Sequence, residues 1–165
     1  MRLHENRDLF SDASQPVEDG GLGIKSIFIE KDYWICRSLS LMAANDKDNR
    51  AIFKGGTSLT KAYGIGSRFS EDIDIAISEA WTLSGNQLKM QIKRTAKSMT
   101  KGLQEMDMPG FTSKGSHYHK AYYSYPRAID TLQVGAIKAG QLLVEINSFA
   151  NPYPFPKWKV HIKSV

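Results

Sequence analysis

The stretch Phe53-Lys-Gly-Gly-Thr-Ser-Leu-Thr-Lys61, followed by Arg68-Phe-Ser-Glu-Asp-Ile-Asp-Ile75, decides the fold predicted for this sequence. It predicts a short strand, a glycine turn that opens a helix, and a second strand that carries two aspartates. Because side chains alternate between the faces of a strand, Asp72 and Asp74 point to the same side, with Cα atoms about 7 Å apart. Paired carboxylates beside a turn that can hold phosphates are the groups that Mg²⁺-dependent chemistry on a nucleotide requires.

The glycine turn has the composition of a phosphate-binding turn. Gly55 and Gly56 let the backbone adopt positive φ and approach a phosphate closely. Thr57 and Ser58 can cap the helix that follows and donate hydroxyl hydrogen bonds, and the free N–H groups of that helix attract phosphates. A tight turn with an ordinary helix cap has the same composition, so it is the aspartates downstream that favour the phosphate-binding interpretation.

Three polar residues near the turn are further candidates for nucleotide binding. Lys61 lies in the predicted short helix, residues 59–63, where it could neutralise triphosphate charge or be an ordinary solvated lysine. Arg68 and Ser70 come just before the aspartate strand and are expected to hold the acidic residues or the nucleotide. A structural ion pair between Arg68 and Asp72 is the alternative.

A third carboxylate is expected to complete the acidic site. Glu145 lies within the apolar stretch Leu142-Leu-Val-Glu-Ile146, where a lone acid is costly unless it is paired or bound to a metal. An edge strand that shows this face to water is the alternative. We expect Asp72, Asp74 and Glu145 to be catalytic residues and ligands of two Mg²⁺ ions about 3.5–4 Å apart.

Composition limits the class of protein. The 165 residues are expected to form one domain, and 41% hydrophobic with 24% charged residues is typical of a soluble globular protein. Cys36 is the only cysteine, so an intramolecular disulfide is excluded. Without an apolar run of ~20 residues or a secretory leader, we expect a cytoplasmic protein that does not bind membranes. The formal charge of +5 mildly favours a polyanionic partner.

The pattern of elements favours a mixed α/β domain rather than a bundle or a sandwich. Residues 1–23, with their glycine cluster, predict a loosely ordered arm before a core domain of residues 24–165. Helices are predicted over residues 24–44 and 85–106, in addition to the short one after the turn. Strands are predicted over residues 51–54, 71–78, 117–125 and 142–149, and a rigid proline-rich segment over residues 151–156.

Three weaker features each have two interpretations. Lys31 and Asp32 could approach the acidic site or form the polar face of their helix. The basic face of the helix over residues 85–106 could contact RNA phosphates or be simply solvated. The tyrosines of the third predicted strand, Tyr118 among them, could stack on a base or pack within the sheet.

Four segments resemble the AbiEii/AbiGii family of nucleotidyltransferase toxins from bacterial abortive-infection and toxin–antitoxin systems. The Gly-Gly-Thr-Ser turn and the Asp-Ile-Asp pair are the specific part, and the other segments corroborate it. The four come in the family's order and spread over roughly residues 24–160. They are Glu30-Lys-Asp-Tyr-Trp-Ile35, Lys54-Gly-Gly-Thr-Ser-Leu-Thr-Lys61, Arg68-Phe-Ser-Glu-Asp-Ile-Asp74 and Leu142-Leu-Val-Glu-Ile-Asn147.

The resemblance implies a nucleotidyltransferase fold, a mixed sheet flanked by helices, and Mg²⁺-dependent transfer of NMP from an NTP to an RNA acceptor, with tRNA favoured. It implies a toxin that acts in phage defence and is paired with a cognate antitoxin protein, and it makes Glu145 a metal ligand and general base. Family members usually continue into a helical half of similar size, expected to bind RNA or a partner, which this sequence is expected to lack. The alternatives are transfer to a small-molecule or protein hydroxyl, and a nucleotide-binding fragment without turnover.

Overall fold

The computed structural model of the chain describes residues 3–17, 24–65, 71–150 and 157–163. The described helices are α1 (Arg7–Val17), α2 (Ser26–Asn45), α3 (Gly55–Tyr63) and α4 (Gly85–Met99), with 3₁₀ turns at Leu3–Glu5 and Ala80–Thr82. The described strands are β1 (Ala51–Lys54), β2 (Asp72–Ile77), β3 (Gln104–Glu105), β4 (Ser113–Lys114), β5 (Tyr118–Ser124), β6 (Gln133–Val134), β7 (Ile137–Lys138) and β8 (Gln141–Asn147). In the described part of the chain, no helix combines the length and apolarity that a membrane span needs.

Six strands form one mixed sheet in the order β1-β2-β8-β5-β3, with β4 also paired to β5, and β6 and β7 form a separate hairpin. Strands β2 and β8 are parallel, whereas β1 pairs with β2 and β5 pairs with β8 in the antiparallel direction. This arrangement confirms the predicted mixed α/β fold. The two central strands, β2 and β8, carry the predicted carboxylates.

The core lies on one face of the sheet, beneath α2 and α4. Alternation along β2 and β8 sends Ile73, Ile75, Val144 and Ile146 to that face, and all four are fully buried. Burying a side chain of this size stabilises the folded state by about 1.5–3 kcal/mol. A shift of one residue would expose these side chains, so the alternation determines the register of both strands. The intervening residues, including the carboxylates, are therefore left on the opposite face. The helices contribute Trp34, Ile35, Leu39, Leu88, Ile92 and Met99.

The helix predicted over residues 85–106 ends at Met99, seven residues early. Thr100 is its C-cap residue, and the chain reverses at Gly102, where φ is +87°. Leu103 packs against the core, and the Met106 N–H donates to the Tyr122 carbonyl (2.8 Å). Leu103 and Met106 continue the apolar spacing of the helix in the sequence, which is why the predicted helix is too long at its C-terminal end.

Helix α1 lies within the segment that was predicted to be a loosely ordered arm, and that prediction is wrong for residues 7–17. Phe10 is buried, with its ring edge-on to Tyr33 at 5.5 Å. Arg7 donates to the Ala128 carbonyl (2.9 Å) and forms an ion pair with Asp130. The helix is held by these contacts, which no local pattern predicts. The division between arm and core stays a prediction, and the glycine cluster and the proline-rich segment lie outside the described residues.

Candidate active site

Four charged side chains form one row across the open face of the sheet. Lys54 of β1 is paired with Asp74 of β2, Asp74 with Glu145 of β8, and Glu145 with Lys120 of β5. Residues directly opposite each other on neighbouring strands project to the same face. Lys120 Nζ lies 3.7 Å from Glu145 Oε2. These four residues, called the acidic row below, place two carboxylates side by side between two lysines.

Asp72 extends the acidic group along β2. It lies two residues before Asp74 on the same face, opposite Leu143 of β8. The structure thus brings all three predicted carboxylates to one face of the sheet. Among the residues that the structure describes, no three His, Cys, Asp or Glu side chains converge into a ready-made metal cluster.

Both aspartates are held in surroundings that disfavour their charged form. Burial raises the pKa of Asp74, with the Glu145 charge adding to the rise and Lys54 and Lys120 opposing it. Burial likewise raises the pKa of Asp72, with the charges of Glu71 and Asp74 adding to the rise. Because repulsion between carboxylates contributes at both positions, a bound cation would lower the free energy of the charged site. Carboxylate oxygens are also the hard ligands that Mg²⁺ prefers, so the donor set fits this metal.

Glu145 is oriented by polar neighbours that the sequence prediction did not include. The Tyr118 ring lies beside its carboxylate, and burial together with the interaction with Glu145 raises the pKa of Tyr118 to about 12. Asn147 Nδ2 lies 3.5 Å from Glu145 Oε1. The period-two pattern of β5 puts Lys120 and Tyr118 on one face, but only the pairing of β5 with β8 shows that this face carries Glu145.

The predicted glycine turn is the first turn of helix α3. The helix begins at Gly55, directly after β1, and not at Leu59 as predicted. Gly55 has φ of +76°, and a Cβ at this position would collide with the Asp74 carboxylate. The N-terminus of α3 therefore lies directly against the acidic row. Its N-cap residue, Lys54, makes no side-chain capping hydrogen bond.

The two hydroxyls of the turn bond to backbone carbonyls and do not cap the helix, so the predicted capping role is wrong. Thr57 Oγ1 donates to the Asp72 carbonyl, and Ser58 Oγ donates to the Gly55 carbonyl (2.8 Å). Both side chains are buried. Thr57 thereby ties α3 to the start of the aspartate strand. The expected binding of nucleotide by Gly55, Gly56, Thr57 and Ser58 stays a prediction.

Lys61 is a buried structural cation, and its alternative interpretation as a solvated lysine is wrong. It is 6% exposed, forms an ion pair with Asp32 of α2 and donates to the Lys163 carbonyl (3.0 Å). Lys31 forms a second pair with Glu71, just before β2. These pairs link α2 to α3 and to the aspartate strand. The structure does not bring Lys61 into the acidic row, and its binding of nucleotide stays a prediction.

The remaining predictions concern Arg68, Ser70 and the basic face of α4. Arg68 and Ser70 lie outside the described residues. The basic face of α4 is remote from the carboxylates, because Leu88 and Ile92 hold α4 against the core face of the sheet. Phosphates bound at the acidic row would be on the other side of the sheet from this basic face.

Comparison with protein families agrees with the geometry. The model of the AbiEii family, described as a nucleotidyl transferase toxin of a Type IV toxin–antitoxin system, matches residues 37–161. The match includes β1, the first turn of α3, the two aspartates of β2 and Glu145. It confirms the family resemblance and the predicted nucleotidyltransferase fold. No curated protein matches the chain.

Proposed function

The chain belongs to the AbiEii nucleotidyl transferase toxin family, and we propose that it transfers NMP from an NTP to an RNA acceptor, with tRNA favoured, in an Mg²⁺-dependent reaction. It would act in the cytoplasm as the toxin of a toxin–antitoxin pair with a role in phage defence, and a cognate antitoxin protein would neutralise it. The observation that carries the chemical part is the direct pairing of Asp74 with Glu145 at the N-terminus of α3.

Asp72, Asp74 and Glu145 would hold Mg²⁺. Their shared face and the raised pKa of both aspartates support this assignment. Two bound ions would neutralise charge on the triphosphate and on the departing pyrophosphate. The carboxylates themselves need no large movement to act together, because Asp74 and Glu145 are already neighbours across two hydrogen-bonded strands.

The N-terminus of α3 would bind the phosphates of the NTP. The first N–H groups of a helix have no partner within the helix and attract anions, and α3 has no side-chain cap at this end. Gly55 and Gly56 have no side chain to obstruct a phosphate. Lys54 and Lys120, at the two ends of the acidic row, would add positive charge. Arg68 and Ser70 are proposed to assist from the loop before β2.

Glu145 would accept the proton of the attacking hydroxyl. The hydroxyl oxygen bonds to the α-phosphorus, the bond from the α-phosphorus to the bridging oxygen breaks, and pyrophosphate leaves with that electron pair. The hydrogen bond from Asn147, with the Tyr118 ring alongside, would hold the Glu145 carboxylate in one orientation while it takes the proton.

The direct test is transfer of label from each of the four α-labelled NTPs onto total tRNA with Mg²⁺, beside Asp74→Asn. Label on RNA from the wild-type protein alone supports the proposal and identifies the nucleotide. Label on a protein or on a small molecule instead would replace the RNA acceptor with that class. If no acceptor is labelled while Mg²⁺–NTP still binds, the chain is a nucleotide-binding module without turnover.

A further inference from the structure

We propose that the rings of His117, Tyr118 and Phe149 form a stacking subsite for the terminal nucleobase of the acceptor strand. This inference rests on the proposed function and deepens it, because it assigns a place and a chemical class to the acceptor. The three residues are called the ring cluster below. They lie where β5 begins beside the end of β8.

The ring cluster is an ordered and exposed aromatic surface. The Phe149 ring stacks on His117, with centroids 6.2 Å apart and an interplanar angle of 18°, and on Tyr118 at 6.5 Å and 24°. Phe149 is 71% exposed. The Ser148 N–H donates to the His117 carbonyl (3.1 Å), and Ser148 Oγ lies 3.2 Å from His117 Nδ1. The rings are therefore held in place while an apolar face stays open to water.

The ring cluster joins the acidic row on the side away from the phosphate-binding helix. Tyr118 lies beside Glu145, the proposed base, on the same face of the sheet, because β5 is the neighbour of β8. Helix α3 lies at Asp74, on the other side of Glu145. An NTP whose phosphates lie at α3 therefore approaches Glu145 from one side, and the acceptor hydroxyl must come from the other. A terminal nucleoside whose hydroxyl is at Glu145 has the ring cluster as the adjacent surface for its base.

The chemistry of the ring cluster suits a nucleobase. Aromatic side chains stack on every base, because every base has a π-face, and this contact does not depend on sequence. Lys120, two residues after Tyr118 on the same face, supplies positive charge for the strand's phosphates. A strand end that is single-stranded can present an unstacked base in this way.

The test is a binding cycle with two RNAs and four proteins. The RNAs are one 5′-labelled single-stranded oligoribonucleotide and the same strand with an abasic nucleotide at its 3′ end. The proteins are wild type, Phe149→Ala, Phe149→Trp, which keeps a stacking ring, and the control Phe111→Ala. Phe111 is an exposed phenylalanine too, at 58%, in a loop outside the ring cluster. Kd is measured by fluorescence anisotropy, and KM for RNA and for NTP by label transfer.

We expect Phe149→Ala to weaken binding of the complete RNA about tenfold, since the variant loses the stacking contact with the terminal base. Its KM for RNA should rise while its KM for NTP stays unchanged. The abasic RNA should bind wild type as weakly as Phe149→Ala binds the complete RNA, with no further loss on combining the two changes. Phe149→Trp should restore binding, and Phe111→Ala should behave as wild type.

Two results overturn the subsite. One is an unchanged Kd for the complete RNA with Phe149→Ala, and the other is an equal loss on the complete and the abasic RNA. If label transfer to RNA persists in either case and is lost in Asp74→Asn, the proposed function stands without the subsite. Absence of transfer to RNA by wild type removes the proposed function, while the binding cycle still decides whether the ring cluster stacks on a terminal base.

Discussion

Gly55 lies directly against Asp74: a Cβ built on Gly55 would collide with the carboxylate and come within 3.0 Å of Asp74 Cγ. The first turn of α3 and the acidic strand are thus packed so closely that only glycine fits between them. The conformation adds a second requirement, because φ at Gly55 is +76°. This proximity is what places the helix N–H groups and the carboxylates within one small site.

Gly55→Ala is expected to reduce transfer roughly 100-fold, because displacing a reacting group by about 1 Å can cost that much. The substitution should also cost about 1–2 kcal/mol in unfolding free energy, since an L residue is strained at positive φ. Label transfer and urea unfolding measure the two effects.

The matched control is Gly102→Ala. Gly102 also has positive φ, at +87°, but a Cβ there meets no atom within 4 Å. Gly102→Ala should lose the stability that positive φ alone costs, about 1–2 kcal/mol, and keep its activity. Equal activities for the two variants would show that the contact with Asp74 does not matter for the reaction.

Asp74→Asn is expected to make the metal-free protein at least as stable as wild type at neutral pH. Burial raises the folded-state pKa of Asp74 above its ordinary value of 3.8. The folded protein then holds this proton more tightly than the unfolded chain does. The contribution of Asp74 to the free energy of unfolding is therefore fully present below its ordinary pKa, and it is lost as pH rises through the raised folded-state pKa.

The measurement is the urea midpoint of both proteins against pH in the presence of a chelator. The gain of Asp74→Asn over wild type should appear as pH rises through the raised pKa and be absent in acid. Mg²⁺–NTP should then stabilise wild type and not the variant. A variant less stable than wild type at neutral pH would mean that the carboxylate is a structural anchor.

Local patterns were sufficient to predict the main strands and the face that the aspartates share. The alternation of Asp72 and Asp74 with two buried isoleucines is a property of four consecutive residues, so it is kept in any sheet that buries one face. The start of α4 is also local, because Ser84 and Gln87 form a capping box.

Pairing between distant segments could not be predicted in this way. The sequence shows that Asp74 and Glu145 are present, but local patterns do not predict how their strands pair. The parallel register of β2 and β8 makes the two residues neighbours, and the antiparallel register of β5 and β8 places Lys120 beside Glu145. Burial of Lys31 and Asp32 was missed for the same reason. On α2 alone they form a polar face, and only Glu71 and Lys61, from other elements, complete their ion pairs.

The buried pair of Asp32 and Lys61 is expected to be strongly stabilising relative to either single variant. Lys61→Met should destabilise by about 3–5 kcal/mol, because it leaves a buried carboxylate without its lysine. The double variant Asp32→Leu with Lys61→Met should lose much less than the sum of the two single variants.

Asp48→Asn is the control for this cycle. It breaks a pair with Arg94 in which both side chains are half exposed, so its cost should be within about 1 kcal/mol. Urea unfolding of the five proteins gives the coupling energy. Additive losses for Asp32 and Lys61 would contradict the ion pair that joins α2 to α3.

Lys120→Met is expected to lower kcat for transfer about 10²–10³-fold, the usual cost of removing one group that stabilises charge in a transition state. Lys120 lies at the end of the acidic row, 3.7 Å from Glu145. Lys114→Met is the control, because Lys114 is opposite His119 and so belongs to the other face of the sheet. Lys120→Arg should recover part of the rate, since it keeps the charge and changes only its geometry. If Lys120→Met and Lys114→Met are equally active, the positive charge of Lys120 only pairs with Glu145 in the resting protein and does not contribute to the reaction.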